Sequence, residues 1–114
     1  MITVYGIRNC DTCRKALKWL EAGGIEHRFH DFRKDGLTAT QVAVWLEDVG
    51  AAVLLNKRGK TWRNFSNAEK ESVDAGKAEA LIVANPTLVK RPVFEGAGTL
   101  LVGFGNAQRD ALKG

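Results

Sequence analysis

The sequence predicts an α/β domain whose mixed sheet is built as βαβ and then ββα, with helices inserted between the two halves. Three observations predict it. An apolar strand runs into a helix through a tetrad that holds both cysteines of the chain, a glycine pair returns the chain to an alternating segment, and a glycine-punctuated hairpin followed by a helix closes it. The 114 residues, 45% of them apolar, suffice for one packed domain and fall short of two. Residues 1–114 therefore read as a single domain, with the helical insertion at about 37–85.

Ile2-Thr3-Val4-Tyr5 is an apolar strand, and Asp11 to Glu21 has helical character until Gly23-Gly24 stops it. Ile25 to Phe32 alternates as a second strand. A helical connection of this length favours a parallel pair with a right-handed crossover, which sets the residues around Cys10 at the carboxyl end of the first strand, where open α/β sheets bind ligands. Asp35-Gly36 is a turn. Thr38 to Gln41 has the form of a capping box, and Val42, Val44, Trp45, Leu46 and Val49 give the following helix an apolar side up to Gly50. A second capping box, Ser66 to Glu69, opens a short helix, and Lys77 to Asn85 forms another that Pro86 closes. Val93-Phe94-Glu95, the turn Gly96-Ala97-Gly98 and Thr99 to Gly103 predict a hairpin, and Asn106 to Lys113 a terminal helix. This is the order of a thioredoxin-like domain that carries helices in its middle. Trp19 and Trp45, each beside a leucine at helical spacing, read as core, whereas Trp62 lies in a loop among basic residues.

Cys10-Asp11-Thr12-Cys13 stands where strand gives way to helix. The thiolate is the reactive form of cysteine, and the open amides and positive dipole end of a helix stabilise it. Cys10 is thus the candidate nucleophile, and Cys13, on the same helical face at a bridgeable separation, the candidate resolving thiol. A zinc site would need both cysteines with His27 and His30. Those two histidines are three apart on a predicted strand, so an odd offset sends them to opposite faces, and no metal is expected. Two inert core cysteines are the remaining alternative.

Seventeen Lys and Arg against thirteen Asp and Glu leave a net charge of +4, a modest excess that suits anionic small molecules and does not call for nucleic acid. No stretch approaches the roughly 18 apolar residues of a membrane span, and the chain enters a strand without a leader, so a cytoplasmic protein with no membrane partner is expected. Two cysteines in a reducing compartment point to a transient rather than a structural disulfide. Lys57-Arg58-Gly59-Lys60-Thr61-Trp62-Arg63 is the densest basic cluster, and such clusters are commonly solvated surface. In a thioredoxin-like fold Arg91-Pro92, just before the hairpin, faces the helix that bears Cys10; Arg91 then stabilises a thiolate or binds an oxyanion through its fork of donors, with Pro92 in the cis form.

Tyr5 to Ala16, with Leu54-Leu55-Asn56-Lys57-Arg58-Gly59-Lys60-Thr61-Trp62-Arg63 and Lys90-Arg91-Pro92, resembles the ArsC/Spx family over nearly the whole chain, and most closely its YffB-type branch. Phe29-His30-Asp31 belongs to the same pattern. The resemblance implies a thioredoxin fold with an inserted helical part, and a cysteine at the position of Cys10 that attacks arsenate in glutaredoxin- and glutathione-dependent arsenate reductases. Of the family's arginines, Arg91 matches the one before the proline. Asn56 occupies the place of a second, with Arg58 two residues on. The third lies on the last strand, where this chain has no basic residue from Glu95 to Gln108. Fewer fixed donors suit a disulfide better than a highly charged oxyanion. The expected activity is accordingly a glutathione-dependent thiol–disulfide reductase, with Cys10, Cys13 and Arg91 catalytic and Asn9, Thr12, Arg14, Arg58 and Pro92 binding substrate or glutathione. No bound cofactor is expected. Glutathione or glutaredoxin would act with a disulfide or glutathionylated substrate. Arsenate reduction is one alternative. An Spx-like redox-switched regulator of RNA polymerase is the other, disfavoured by the absence here of the longer basic tail of such regulators.

Overall fold

The computed structural model describes residues 1–113, with the side chains of Asp74 and Ala75 outside the description. The chain forms two compact units, one made of Met1–Asp35 with the segment that begins at Arg91, the other of Gly36–Lys90.

The first unit is built on a four-stranded mixed sheet in the order β2-β1-β3-β4. Strand β1, Ile2–Gly6, is central and buried on both faces, which is why Ile2-Thr3-Val4-Tyr5 reads as an apolar run rather than an alternating one. It pairs in parallel with β2, His27–Asp31, placing Ile2 beside His27 and Tyr5 beside His30. On its other edge it pairs antiparallel with β3, Val93–Glu95, which in turn pairs with β4, Leu101–Val102. Helix α1, Asp11–Ala22, connects the parallel pair and buries Cys13, Ala16 and Leu20, spaced on one face. Ala16 and Leu20 join Ile2, Val4, Phe94 and Leu112 in the core, and Leu112 belongs to the terminal helix Asn106–Lys113. Trp19 packs against this core and meets Phe104 edge-on at 5.6 Å between ring centroids.

The second strand is shorter than predicted. The chain leaves the ladder after Asp31 and makes a single helical turn, α2, Phe32–Asp35, whose Phe32 is 1% exposed. The hairpin's second strand is also cut to two residues, because the connection over residues 96–100 is wider than a tight turn. Gly96 sits there at φ 96°, and a side chain at it would run into the Met1 carbonyl.

The second unit is helical. Helix α3, Ala39–Val49, starts at a complete capping box: the Thr38 hydroxyl accepts from the Gln41 amide at 3.1 Å and the Gln41 side chain accepts from the Thr38 amide at 3.1 Å. Thr38→Ala should therefore lower stability by about 1 kcal/mol, read as an earlier midpoint in urea unfolding at unchanged slope. Three short helices follow: α4, Ala51–Leu54; α5, Lys60–Arg63; and α6, Asn67–Ser72, opened by the capping box of Ser66 and Glu69. A wide helical turn over Val73–Lys77, kinked at Gly76, leads to α7, Ala78–Ala84, and a 3-10 turn over Pro86–Leu88. Helices α3 and α7 pack together, with Val42, Trp45, Ala78 and Ile82 buried. Val44, assigned to the apolar side from its neighbours, is 53% exposed: a 100° step per residue turns it away from Val42 and Trp45. Trp62 lies in α5, not in a loop. Among the described residues no helix is long and apolar enough to cross a membrane.

Candidate thiol site

Residues 7–10 turn the chain out of β1, closed by the Cys10 amide donating to the Ile7 carbonyl at 3.1 Å. Arg8 and Asn9 form the exposed tip of this turn, and Cys10 becomes the N-cap of α1, with extended backbone at φ −101° and ψ 122°. The sulfur makes no regular capping hydrogen bond. The open amides of Cys13 and Thr12 still act on it, as expected for a large, diffuse thiolate facing an open first turn.

The two thiols, both free, differ sharply. Cys10 is half-buried, and burial alone would disfavour its thiolate. That penalty is outweighed by the Cys13 amide and thiol, the Arg91 guanidinium and the Thr12 amide, each of which favours the charged sulfur, so Cys10 ionises below the ordinary cysteine range. Cys13 is 0% exposed, and burial, its largest influence, pushes its thiol up to about 12, even though the Ile7 amide donates to it; a charged Cys10 beside it pushes the same way. The Cys13 sulfur occupies a notch left by Gly6, where any Cβ would overlap it.

Arg91 and Pro92 belong to the same unit as the thiols, and the peptide between them is cis, as the motif led us to expect. The remaining predicted residues divide. Thr12 acts through its amide, its side chain being exposed. Arg14 is committed to Asp11 in an exposed ion pair across the first turn, which holds the Asp11 carboxyl below the usual range. Arg8 stacks over Phe29, its guanidinium 5.2 Å from the ring centroid. Arg58 lies in the helical unit, where its amide donates to the Asn56 side chain at 3.2 Å. The two histidines are engaged separately, His27 with the Ile25 carbonyl at 2.8 Å and His30 with the Tyr5 ring at 4.9 Å. Sequence reasoning missed Gly6, whose small size inside an apolar strand was the available signal.

The ArsC family model matches residues 5–112. The chain belongs to the ArsC family. Among curated relatives of this ArsC-family chain, an uncharacterised protein of Haemophilus influenzae is 47% identical over 97% of each chain. The global transcriptional regulator Spx 2 of Bacillus anthracis is 26% identical over 95% of this chain and 83% of its own. Among solved structures, a YffB protein superposes with a TM-score of 0.91 at 37% identity, covering 98% of this chain and 99% of that one. An arsenate reductase (ArsC) related protein of Brucella melitensis gives 0.77 at 46% identity over 96% and 92%. The thioredoxin-like α/β fold with its mixed sheet is common to these ArsC-family structures.

Proposed function

We propose that this ArsC-family chain is a glutathione-dependent thiol–disulfide reductase in which the Cys10 thiolate is the nucleophile. One observation carries the reading: of two adjacent thiols, the reachable one is activated, with the Arg91 guanidinium favouring its charged form, while its neighbour is sealed and driven toward the neutral form. The Cys10 thiolate attacks the glutathione sulfur of a mixed disulfide. The old S–S bond breaks, the substrate leaves as a thiolate and takes a proton from water, and glutathione stays on Cys10. A second glutathione thiolate attacks that adduct at the glutathione sulfur, releasing glutathione disulfide and restoring Cys10. Cys13 resolves poorly against this route, because a thiol pushed up to about 12 is almost wholly protonated at neutral pH.

The test is steady-state turnover of a glutathionylated peptide with and without glutathione, in wild type and Cys13→Ser. Retained glutathione-dependent turnover in the variant supports the reading; loss of turnover with Cys10 still reactive would assign resolution to Cys13. Arg91→Met keeps the apolar stem and removes the donors. It should move the alkylation profile of Cys10 to higher pH and slow alkylation at pH 7 roughly tenfold, as expected for one charge-assisted hydrogen bond.

Two further readings stay open to direct test. Arsenate reduction is supported by the likeness to the arsenate reductase-related protein of Brucella melitensis and opposed by the lack of any basic residue from Glu95 to Gln108. A redox-switched regulator is supported by the likeness to Spx 2. The first predicts glutathione- or glutaredoxin-dependent arsenate turnover. The second predicts that the oxidised chain, with no small-disulfide turnover, binds the RNA polymerase α subunit.

A further inference from the structure

The turn that delivers Cys10 also carries a cation. Arg8 stands two residues before Cys10, exposed at the tip of the turn over residues 7–10. The Cys10 amide, donating to the Ile7 carbonyl at 3.1 Å, closes that turn and fixes the backbone between the two residues. The Arg8 guanidinium lies 5.2 Å from the centroid of the Phe29 ring. Phe29 is a firm platform, because it sits in the middle of β2, in register with Val4, and packs against the core of the first unit. An aromatic face orients a guanidinium without consuming its N–H donors, so the fork stays open to a planar partner with two oxygens.

Neighbouring charges are engaged elsewhere. Arg14, the cation that the sequence offers for glutathione, is held by Asp11. Asp31, which pairs with Gly6 at the end of β2, accepts from the Arg33 amide at 2.8 Å. Arg91 acts on the Cys10 sulfur itself. Arg8 has no carboxylate partner among the described residues. Glutathione carries a carboxylate at each end, several bonds from its sulfur, so a glutathionyl group whose sulfur meets Cys10 brings an anion beside the reacting atoms rather than onto them. A guanidinium anchored on the same turn but stacked away on Phe29 suits that offset. We infer that Arg8 selects the substrate, its fork taking a carboxylate of the glutathionyl group while Cys10 attacks the glutathione sulfur. The inference rests on the thiol-reductase reading and names what that site recognises: disulfides that carry a carboxylate, in preference to neutral ones. Arg8 takes no part in the exchange of bonds.

The test is the second-order rate at which the reduced full chain, in a Cys13→Ser background that leaves Cys10 as its one thiol, opens glutathione disulfide or the neutral hydroxyethyl disulfide. Each adduct is read by intact mass, at one pH and ionic strength. Arg8→Gln should slow the reaction with glutathione disulfide about tenfold, as expected for one charge-assisted hydrogen bond, and leave that with hydroxyethyl disulfide within about twofold. Arg8→Lys, which keeps the charge and loses the fork, should recover part of the rate. The pH profile of Cys10 alkylation should stay where it is in all of these proteins. Lys18→Gln, at an exposed position on α1, removes the same charge and should keep the preference for glutathione disulfide. No change in Arg8→Gln, an equal slowing with both disulfides, or an equal loss in Lys18→Gln would overturn the inference and, with Cys10 still opening disulfides, leave the thiol reading in place. Failure to open either disulfide with Arg8 intact would overturn both.

Discussion

Cys10→Ser is expected to lower glutathione-dependent turnover of a mixed disulfide by about a thousandfold or more, leaving the thermal unfolding midpoint close to that of wild type. A serine hydroxyl at the same N-cap stays protonated at neutral pH, because the helix amides and Arg91 that favour the Cys10 thiolate fall far short of what an alkoxide needs. The neighbour cannot substitute. Cys13 is sealed from solvent, and with its thiol pushed up to about 12 its thiolate fraction at pH 7 is about 10⁻⁵. Rates in wild type should rise with pH through the Cys10 titration, which lies below the ordinary cysteine range, and show no such rise in the variant. Turnover within tenfold of wild type would mean that Cys10 is not the nucleophile.

That prediction rests on features of unequal legibility. The first strand, α1 and the terminal helix announce themselves locally, through an apolar run, a glycine stop and helical spacing, and both capping boxes lie in four-residue patterns. Helices α2, α4 and α5 are four residues each, a single turn, too short to show a period, and tertiary packing decides them. For this reason Trp62 read as a loop residue. At the site, the cysteine spacing and Arg91-Pro92 were visible as motif, but the inequality of the two thiols was not. It comes from burial, which for Cys13 is set by the face of α1 it occupies against β1. The approach of Lys57 to Lys90 was hidden for a related reason: it comes through the Leu55–Val89 bridge, a long-range pairing without a local signature. The likeness to the ArsC family located Arg91 and Arg58 in the chain, yet only the folded chain separates them into different units.

The contact between Gly6 and Cys13 supplies the second large effect. Gly6→Ala should destabilise the protein by about 2–3 kcal/mol, the upper part of the overpacking range, because both partners are buried and the new methyl would overlap the Cys13 sulfur. The other close neighbours of that methyl, Cys13 Cβ at 3.5 Å and Phe29 at 3.6 Å, are at ordinary contact distance, so the sulfur alone is the obstacle. Cys13→Ala removes it at the cost of a small void, and Gly6→Ala introduced into that background should then be nearly neutral, its methyl filling the space the sulfur left. The signature is a coupling energy about as large as the Gly6→Ala effect itself, measured by urea unfolding of the four proteins. An undiminished penalty in the Cys13→Ala background would place the strain in the strand backbone instead. The single variant also carries a chemical readout, since a sulfur pushed out of the notch loses the burial that keeps it neutral. Cys13 in Gly6→Ala should therefore become open to alkylation near pH 9, whereas in wild type it resists the same reagent.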